Sequence, residues 1–261
     1  MINEITKELL KLEIDHDFKI LYAVESGSRA WGFASTDSDW DVRYLYVHKL
    51  DWYLRIAENK DSQEKILPND IDLAGWELKK ALRLFRKSNP PILEWLKSPI
   101  LYIQQTSAVD KLRELAIEYF NPKSCLHHYL HMAEGNYKMY LQRDSVRVKK
   151  YFYVLRPILA CDWIKNTDSM APMEFQKLVD SQVTNQSVKK EIQNLLQRKM
   201  AGEELNEEPK IPIINEFLEE KIDFYNNYVN SLDKVSPPNT TKLDSLFKQT
   251  IFEAWGQNGS N

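Results

Sequence analysis

The spacing of hydrophobic and polar positions along the chain changes near residue 105. Before that point, short apolar runs separated by polar turns predict strands, and helical spacing appears between some of them. The predicted strands lie at 18–26, 39–47, 64–67 and 70–75, and the predicted helices at 3–13, 77–87 and 92–96. Because the run at 18–26 is almost continuously apolar, we expect a central strand that is covered on both faces.

From residue 106 onward, the apolar positions recur with helical spacing and no strand pattern stands out. The predicted helices lie at 110–119, 123–141, 146–165, 173–179, 188–200, 213–232 and 243–255. We therefore predict an α+β fold with two units. An N-terminal unit at 1–105 contains a mixed sheet with helices, and an all-helical C-terminal unit at 106–261 packs against it. Since no flexible linker separates them, the helical unit should wall a cleft.

The most informative stretch joins the first two strands and reads ESGSRAWGFASTDSDWDVR at 25–43. Asp39 and Asp41 are two residues apart on the second strand, so their side chains share one face, which Arg43 continues. Two adjacent carboxylates repel each other, and a divalent cation between them removes that repulsion. Hard oxygen ligands favour Mg²⁺, or the similar Mn²⁺, which carboxylates usually hold together with substrate phosphates.

The turn before these aspartates forms the second part of the candidate site. Gly27 and Ser28 offer backbone N–H groups and a hydroxyl at the start of a short helix, where anions bind favourably. A phosphate site beside a metal site indicates phosphoryl or nucleotidyl transfer. The alternative is a simple hairpin with solvated turn aspartates, an explanation that suits Asp37 well.

The strings ESGSRAWG and SDWDVR resemble the signature of the polymerase-beta superfamily of nucleotidyltransferases. They resemble one branch of it, the YcgL-like group, which includes nucleotidyltransferases associated with RNA-repair ligases, and the resemblance covers most of the chain. It implies that residues 1–105 form the catalytic domain, with Asp39 and Asp41 as catalytic metal ligands. It also implies a third catalytic and metal-binding carboxylate on a neighbouring strand. Asp72, in DLAGWELKK, matches best, whereas Asp70 has the same strand parity and remains the alternative.

The resemblance also implies nucleotide-binding roles. Gly27 and Ser28 would hold β- and γ-phosphate oxygens, and Arg29 or Arg43 would add positive charge. In this superfamily the helical unit often supplies Lys, Tyr or Arg to the nucleotide phosphate or base.

The matching segment of the helical unit here is the basic, aromatic stretch 147–157. Its candidates are Lys150, Tyr153 and Arg156. Lys149 shares a helical face with Tyr153 and Arg156, and Lys150 shares another with Tyr153. The alternative is a solvated basic stripe above a buried apolar face.

Two further groups have structural explanations that we prefer. His127 and His131 have the i, i+4 spacing of transition-metal ligands, with His128 beside them, but no Glu or Cys completes a motif. Core packing or cleft lining is the preferred interpretation. Four tryptophans of the N-terminal unit offer base-stacking surfaces, although aromatic residues in such a unit are more often core. These are Trp31, Trp40, Trp76 and Trp95.

Composition limits the function classes. The formal net charge is −3 and the isoelectric point about 6.0, so a global basic field for nucleic acid is missing, while a local patch remains compatible. Cys125 and Cys161 form no Cys-x-x-Cys motif and predict reduced thiols. The N-terminus lacks the apolar core of a signal peptide, and no apolar run reaches the length of a membrane helix. We expect a cytoplasmic protein without a membrane partner, of undefined oligomeric state.

These observations predict an Mg²⁺-dependent (or Mn²⁺-dependent) nucleotidyltransferase with a two-metal site. It would transfer a nucleoside monophosphate from an NTP to an acceptor hydroxyl and release pyrophosphate. The acceptor is an RNA 3′ end, a protein or a small molecule, and the RNA-repair association favours RNA only by resemblance. The alternatives are a nucleotide-binding regulator without turnover and a helical protein-interaction module, although the latter leaves the clustered aspartates unexplained.

Overall fold

A computed structural model of the chain describes residues 1–256 and contains a five-stranded sheet, a small ribbon and twelve α-helices. The strands are β1 Phe18–Glu25, β2 Trp40–His48, β3 Ser62–Leu67, β4 Ile71–Glu77, β5 Leu101–Gln104, β6 Ser145–Arg147 and β7 Glu207–Pro209. The helices of the first part are α1 Ile2–His16, α2 Gly27–Ala30, α3 Leu50–Tyr53, α4 Leu78–Arg86 and α5 Pro90–Trp95. The remaining helices are α6 Ala108–Tyr119, α7 Pro122–Tyr140, α8 Tyr151–Thr167, α9 Phe175–Gln182, α10 Gln186–Met200, α11 Pro212–Ser231 and α12 Thr241–Trp255.

The main sheet has the strand order β3-β4-β2-β1-β5. β2 and β4 run parallel, and the other neighbouring pairs are antiparallel, so the sheet is mixed. This confirms the predicted α+β class with a mixed sheet. β1 is an interior strand next to the edge strand β5, and β2 holds the middle position. β1 is buried along nearly its whole length, as its continuous apolar sequence predicts.

Side chains of β2 alternate between two cores. Tyr44 and Tyr46 face α1, whose Ile5, Leu9 and Leu12 cover one face of the sheet. Leu45 of β2 belongs to a second, larger core on the opposite face. That second core continues without interruption from β1 through α4, α5 and the later helices as far as Ile251 in α12. Asp41 of β2 lies on the same side of the sheet as this larger core, because it is an even number of residues from Leu45.

The helical part departs from the prediction at its start. The spacing predicts one helix over 146–165, whereas the structure has β6, then a 3₁₀ turn at Val148–Lys150, then α8. β6 pairs with β7, so the part of the chain beyond residue 105 is not wholly helical. Strands of three residues are too short to show a period of two, which explains why the pattern missed them. β5 was missed for a similar reason.

The structure locates the histidines of α7 and the four tryptophans that the sequence analysis considered. His127 and His131 are exposed on α7, so the preferred interpretation as core or cleft residues is wrong for both. Trp95 is buried, and its ring packs 4.1 Å from that of Trp76. Trp31 alone of the four tryptophans lines the cleft described below.

Both cysteines are buried free thiols. Among residues 1–256, no helix combines the length and the apolar character needed to cross a membrane.

Candidate active site

The site begins where β1 ends and the chain turns into α2. The backbone N–H of Ser26 donates to the carbonyl of Asp41 at 2.8 Å, which fixes the turn against β2. Gly27 adopts φ +59°, and a Cβ at this position would lie 2.0 Å from Oδ2 of Asp41. Only glycine fits, because it tolerates this backbone conformation and leaves room for the carboxylate.

Parallel pairing brings the second carboxylate to the first. Asp41 on β2 lies opposite Asp72 on β4. Between them is Arg43, whose Nη2 is 2.9 Å from Oδ2 of Asp72 and 3.2 Å from Oδ1 of Asp41. Asp70 is exposed in the preceding turn at φ +55°, and its carbonyl accepts the N–H of Trp40. The structure therefore places Asp72, and not Asp70, beside Asp41.

The aspartates of the motif open into a cleft of about 170 Å³ between the sheet and the helices. The lining residues are Ser28, Trp31, Phe33, Asp37, Ser38, Asp39, Asp41, Lys149, Phe152, Tyr153 and Lys199. A larger, mainly apolar cavity of about 270 Å³ lies near Leu93 and Phe120, but the paired carboxylates do not face it. The cleft is therefore the candidate site, and it combines residues from both halves of the chain.

Burial raises the pKa of Asp41, and its Arg43 partner partly counteracts this effect. The negative charges of Asp72 and Asp39 raise it further. Burial also raises the pKa of the Tyr153 hydroxyl, as do Asp41 and Asp39. The floor of the cleft is thus a region where added negative charge is unfavourable and a bound cation would be favourable.

Glu25 is a part of the site that the sequence reasoning did not assign. Its side chain is fully buried at the end of β1, where its carboxylate accepts the N–H of Asp41 at 2.8 Å and the hydroxyl of Tyr102. Burial raises the pKa of Glu25. The available signal was a carboxylate that directly ends a buried apolar strand, a position that requires hydrogen-bond partners.

Two of the predicted nucleotide-binding residues line the cleft, namely Ser28 and Tyr153. Arg29 instead donates to the backbone carbonyls of Ser38 and Asp39, and its guanidinium lies 3.7 Å from the ring centre of Trp40. It therefore holds the loop that leads into β2. Its contacts explain how the turn and the loop are fixed relative to each other.

The structure places two other candidates away from the cleft lining. The ammonium of Lys150 lies over the rings of Tyr140 and Tyr153, at 4.4 and 4.7 Å from their centres. Arg156 is 1% exposed and bonds Glu94 at 2.7 Å, so it does not reach a ligand in the cleft. Residues 148–150 form a 3₁₀ turn and not the α-helix that the spacing predicts, so their side chains point in other directions than expected. Lys149 is the basic residue of this segment that lines the cleft.

Lys199 is the second basic residue of the cleft. It lies in the last turns of α10, and its ammonium donates to Oγ of Ser35 at 2.7 Å. Lys149 is exposed and forms no ion pair within residues 1–256. Both lysines line the same cleft as the aspartates, where an anionic ligand would contact them.

The donor set fits a hard divalent cation in part. Asp39 and Asp41 present carboxylate oxygens to the cleft, and Asp39 forms no ion pair in the described chain. Within residues 1–256, however, no group of three His, Cys, Asp or Glu side chains is arranged to hold a metal. The Asp72 carboxylate is paired with the Arg43 guanidinium at 2.9 Å. The pair Asp39 and Asp41 thus fits Mg²⁺ or Mn²⁺, whereas Asp72 fits only if Arg43 moves.

A mixed sheet with a glycine-serine turn packed against Asp41 of β2, and with Asp39 just before that strand, is the arrangement expected of polymerase-beta-like nucleotidyltransferases. Residues 1–249 match the family described as RNA repair pathway DNA polymerase beta family, RlaP, and the chain belongs to this family. The resemblance drawn from the sequence motifs is therefore confirmed.

The chain is 45% identical over 260 residues to the uncharacterized protein YcgL of Bacillus subtilis (strain 168), and the match covers 100% of both chains. A crystal structure of a nucleotidyltransferase-like protein from Exiguobacterium sibiricum 255-15 matches with a TM-score of 0.30 and 7% identity. That match covers 96% of this chain and 77% of the other.

Proposed function

We propose that the protein transfers a nucleoside monophosphate from an NTP to an acceptor hydroxyl and releases pyrophosphate, with Mg²⁺ or Mn²⁺ as cofactor. One observation carries this proposal. The same cleft is lined by Asp39 and Asp41, by Lys149 and Lys199, and by Ser28 at the turn. A polyphosphate that bridges a carboxylate-bound cation and two lysines would be neutralised on both sides.

Each side chain has a distinct role in this proposal. Asp39 and Asp41 would hold the cation, which supplies charge neutralisation at the phosphates when bound. Ser28 and the adjoining N–H groups would orient phosphate oxygens, and the two lysines would bind the outer phosphates. Tyr153, edge-on to Trp31 with ring centres 6.2 Å apart, offers an aromatic wall for the base or sugar.

Glu25 acts indirectly in this scheme, through the backbone of Asp41. Because its carboxylate is buried and bonded on both oxygens, it holds the start of β2 in one position relative to β1. Asp41 would therefore keep its position when substrate binds, and less reorganisation would be required for catalysis.

An RNA 3′ hydroxyl is the first acceptor to test, because the family is described by its place in RNA repair. A protein hydroxyl and a small molecule are the other acceptors. Since the donor is a nucleoside triphosphate, we expect the enzyme to act in the cytoplasm.

The test is incubation with each of the four α-labelled NTPs, with RNA, protein lysate or a small-molecule fraction as acceptor. The proposal expects label on one acceptor class and a matching release of pyrophosphate, both lost in the Asp39→Asn/Asp41→Asn double variant. A nucleotide-binding regulator would instead show NTP binding by calorimetry without pyrophosphate release. The double variant supplies the baseline for both assays.

We expect Lys149→Gln and Lys199→Gln each to raise the KM for NTP by about 10-fold, with a smaller effect on kcat. Each removes a charge-assisted contact that substrate and transition state share, and the loss of such a contact appears mainly in KM. Initial-rate kinetics of pyrophosphate release measures both constants. Lys190→Gln is the matched control, because Lys190 lies on α10 with Lys199 but does not line the cleft. Unchanged KM in both cleft variants would contradict the assignment.

A further inference from the structure

We infer that Arg43 permanently occupies one of the two cation positions of this centre, so that the site takes one divalent cation, at Asp39 and Asp41. This inference rests on the proposed function. A third carboxylate on the neighbouring strand would ordinarily be expected to share a second cation with Asp41, but here a guanidinium already lies between Asp41 and Asp72.

The position of Arg43 is fixed by several contacts at once. Nη2 contacts the carboxylates of Asp72 and Asp41 at 2.9 and 3.2 Å. Nη1 donates to the backbone carbonyls of Asp72 and Val42, both at 3.1 Å. The Arg43 side chain is only 19% exposed. A guanidinium that donates to two carboxylates and two carbonyls is not a mobile surface charge, and displacing it would break all four contacts together.

Charge balance points the same way. The parallel register places the carboxylates of Asp41 and Asp72 side by side, and the single positive charge of Arg43 compensates their repulsion. A divalent cation between the same two carboxylates would lie next to a fixed positive charge and be repelled.

The cation position on the other side of Asp41 is different. The Asp39 carboxylate has no basic partner within residues 1–256, because Arg29 bonds only the backbone carbonyl of Asp39. Asp39 also lines the cleft, whereas Asp72 and Arg43 do not. The geometry thus assigns the exchangeable divalent cation to Asp39 and Asp41. The position between Asp41 and Asp72 is filled by the guanidinium of Arg43.

The test is titration of the intact protein with Mn²⁺ alone, followed by electron paramagnetic resonance of the free ion. The wild type should bind one Mn²⁺ per chain, Asp39→Asn should abolish that binding, and Asp72→Asn should leave its Kd within about 3-fold, a small free-energy change. Arg43→Gln should acquire a second Mn²⁺ site, and Arg43→Lys, which keeps the charge, should not. Arg55→Gln removes an exposed positive charge elsewhere and should bind Mn²⁺ like the wild type.

Thermal unfolding supplies a second readout that does not depend on turnover. Without metal, Arg43→Gln should have a lower Tm than the wild type, and Mn²⁺ should raise the Tm of this variant more than that of the wild type. Two Mn²⁺ per wild-type chain, with the second lost in Asp72→Asn, would overturn the inference and leave the proposed function standing. Absence of any Mn²⁺ binding to the wild type, with or without NTP, would overturn the proposed function and the inference with it.

Discussion

Asp41→Asn is expected to lower kcat for nucleotidyl transfer by about 10³-fold or more, because the site loses a cation ligand. The fold should survive, since asparagine keeps the shape that fits against Gly27. Burial raises the pKa of Asp41, so its ionised form at neutral pH costs stability in the metal-free protein, and the neutral variant should have an equal or higher Tm without metal. Pyrophosphate release and Tm measured with and without Mn²⁺ test both parts.

The controls for this prediction are Asp72 on β4 and Asp70 in the turn before that strand. Asp70→Asn changes an exposed turn carboxylate and should leave transfer nearly unchanged. Asp72→Asn should reduce transfer more, because it removes the main partner of Arg43. The reverse ranking would show that Asp70 is the functional third carboxylate. Full activity of the Asp39→Asn/Asp41→Asn double variant would contradict the nucleotidyltransferase proposal as a whole.

Arg156→Leu is expected to destabilise the protein by about 3–5 kcal/mol. The change leaves the carboxylate of Glu94, 9% exposed, without its guanidinium partner at 2.7 Å and bonded only by the hydroxyl of Tyr129. A buried charge without compensation costs far more than a surface one. A fall in Tm, or in the midpoint of urea unfolding, measures the effect.

A double variant separates this structural role from nucleotide binding. Arg156→Leu/Glu94→Gln removes both charges and should recover much of the lost stability, because no carboxylate at position 94 is left without its guanidinium partner. If Arg156 contacted the nucleotide, as the sequence predicts, Arg156→Leu would fold normally with a raised KM for NTP. An unchanged Tm together with a raised KM would therefore contradict the structural assignment.

The local parts of the site were predictable because they depend on short sequence distances. Alternation along a strand is enough to place Asp41 and Arg43 on one face of β2, although Asp39 lies just before that strand. A glycine before a helix start indicates a tight turn. Asp72 was found differently, from its resemblance to a family pattern. The strand pairing that brings it to Asp41 is a long-range feature, which spacing alone left open between Asp70 and Asp72.

The rest of the site depends on tertiary packing. A 3₁₀ turn of three residues determines that Lys149, and not Lys150, faces the cleft, and no periodic pattern detects so short an element. Lys199 reaches Ser35 across 164 positions of sequence, a contact that only the folded chain creates. Arg156 looked accessible because helical spacing describes which residues share a face but not what covers that face.

The order in which the cleft is assembled follows from the continuous core that joins the sheet to the helices. The helix Gly27–Ala30 and the aspartates Asp39 and Asp41 leave the ribosome early, whereas the wall of the cleft comes much later. The backbone N–H of Phe175 closes on the carbonyl of Trp31 at 2.9 Å, and Lys199 reaches Ser35. Until those residues have been synthesised, the ring of Phe33 lacks its partners Phe152 and Phe175, and the nascent chain exposes apolar surface that favours aggregation.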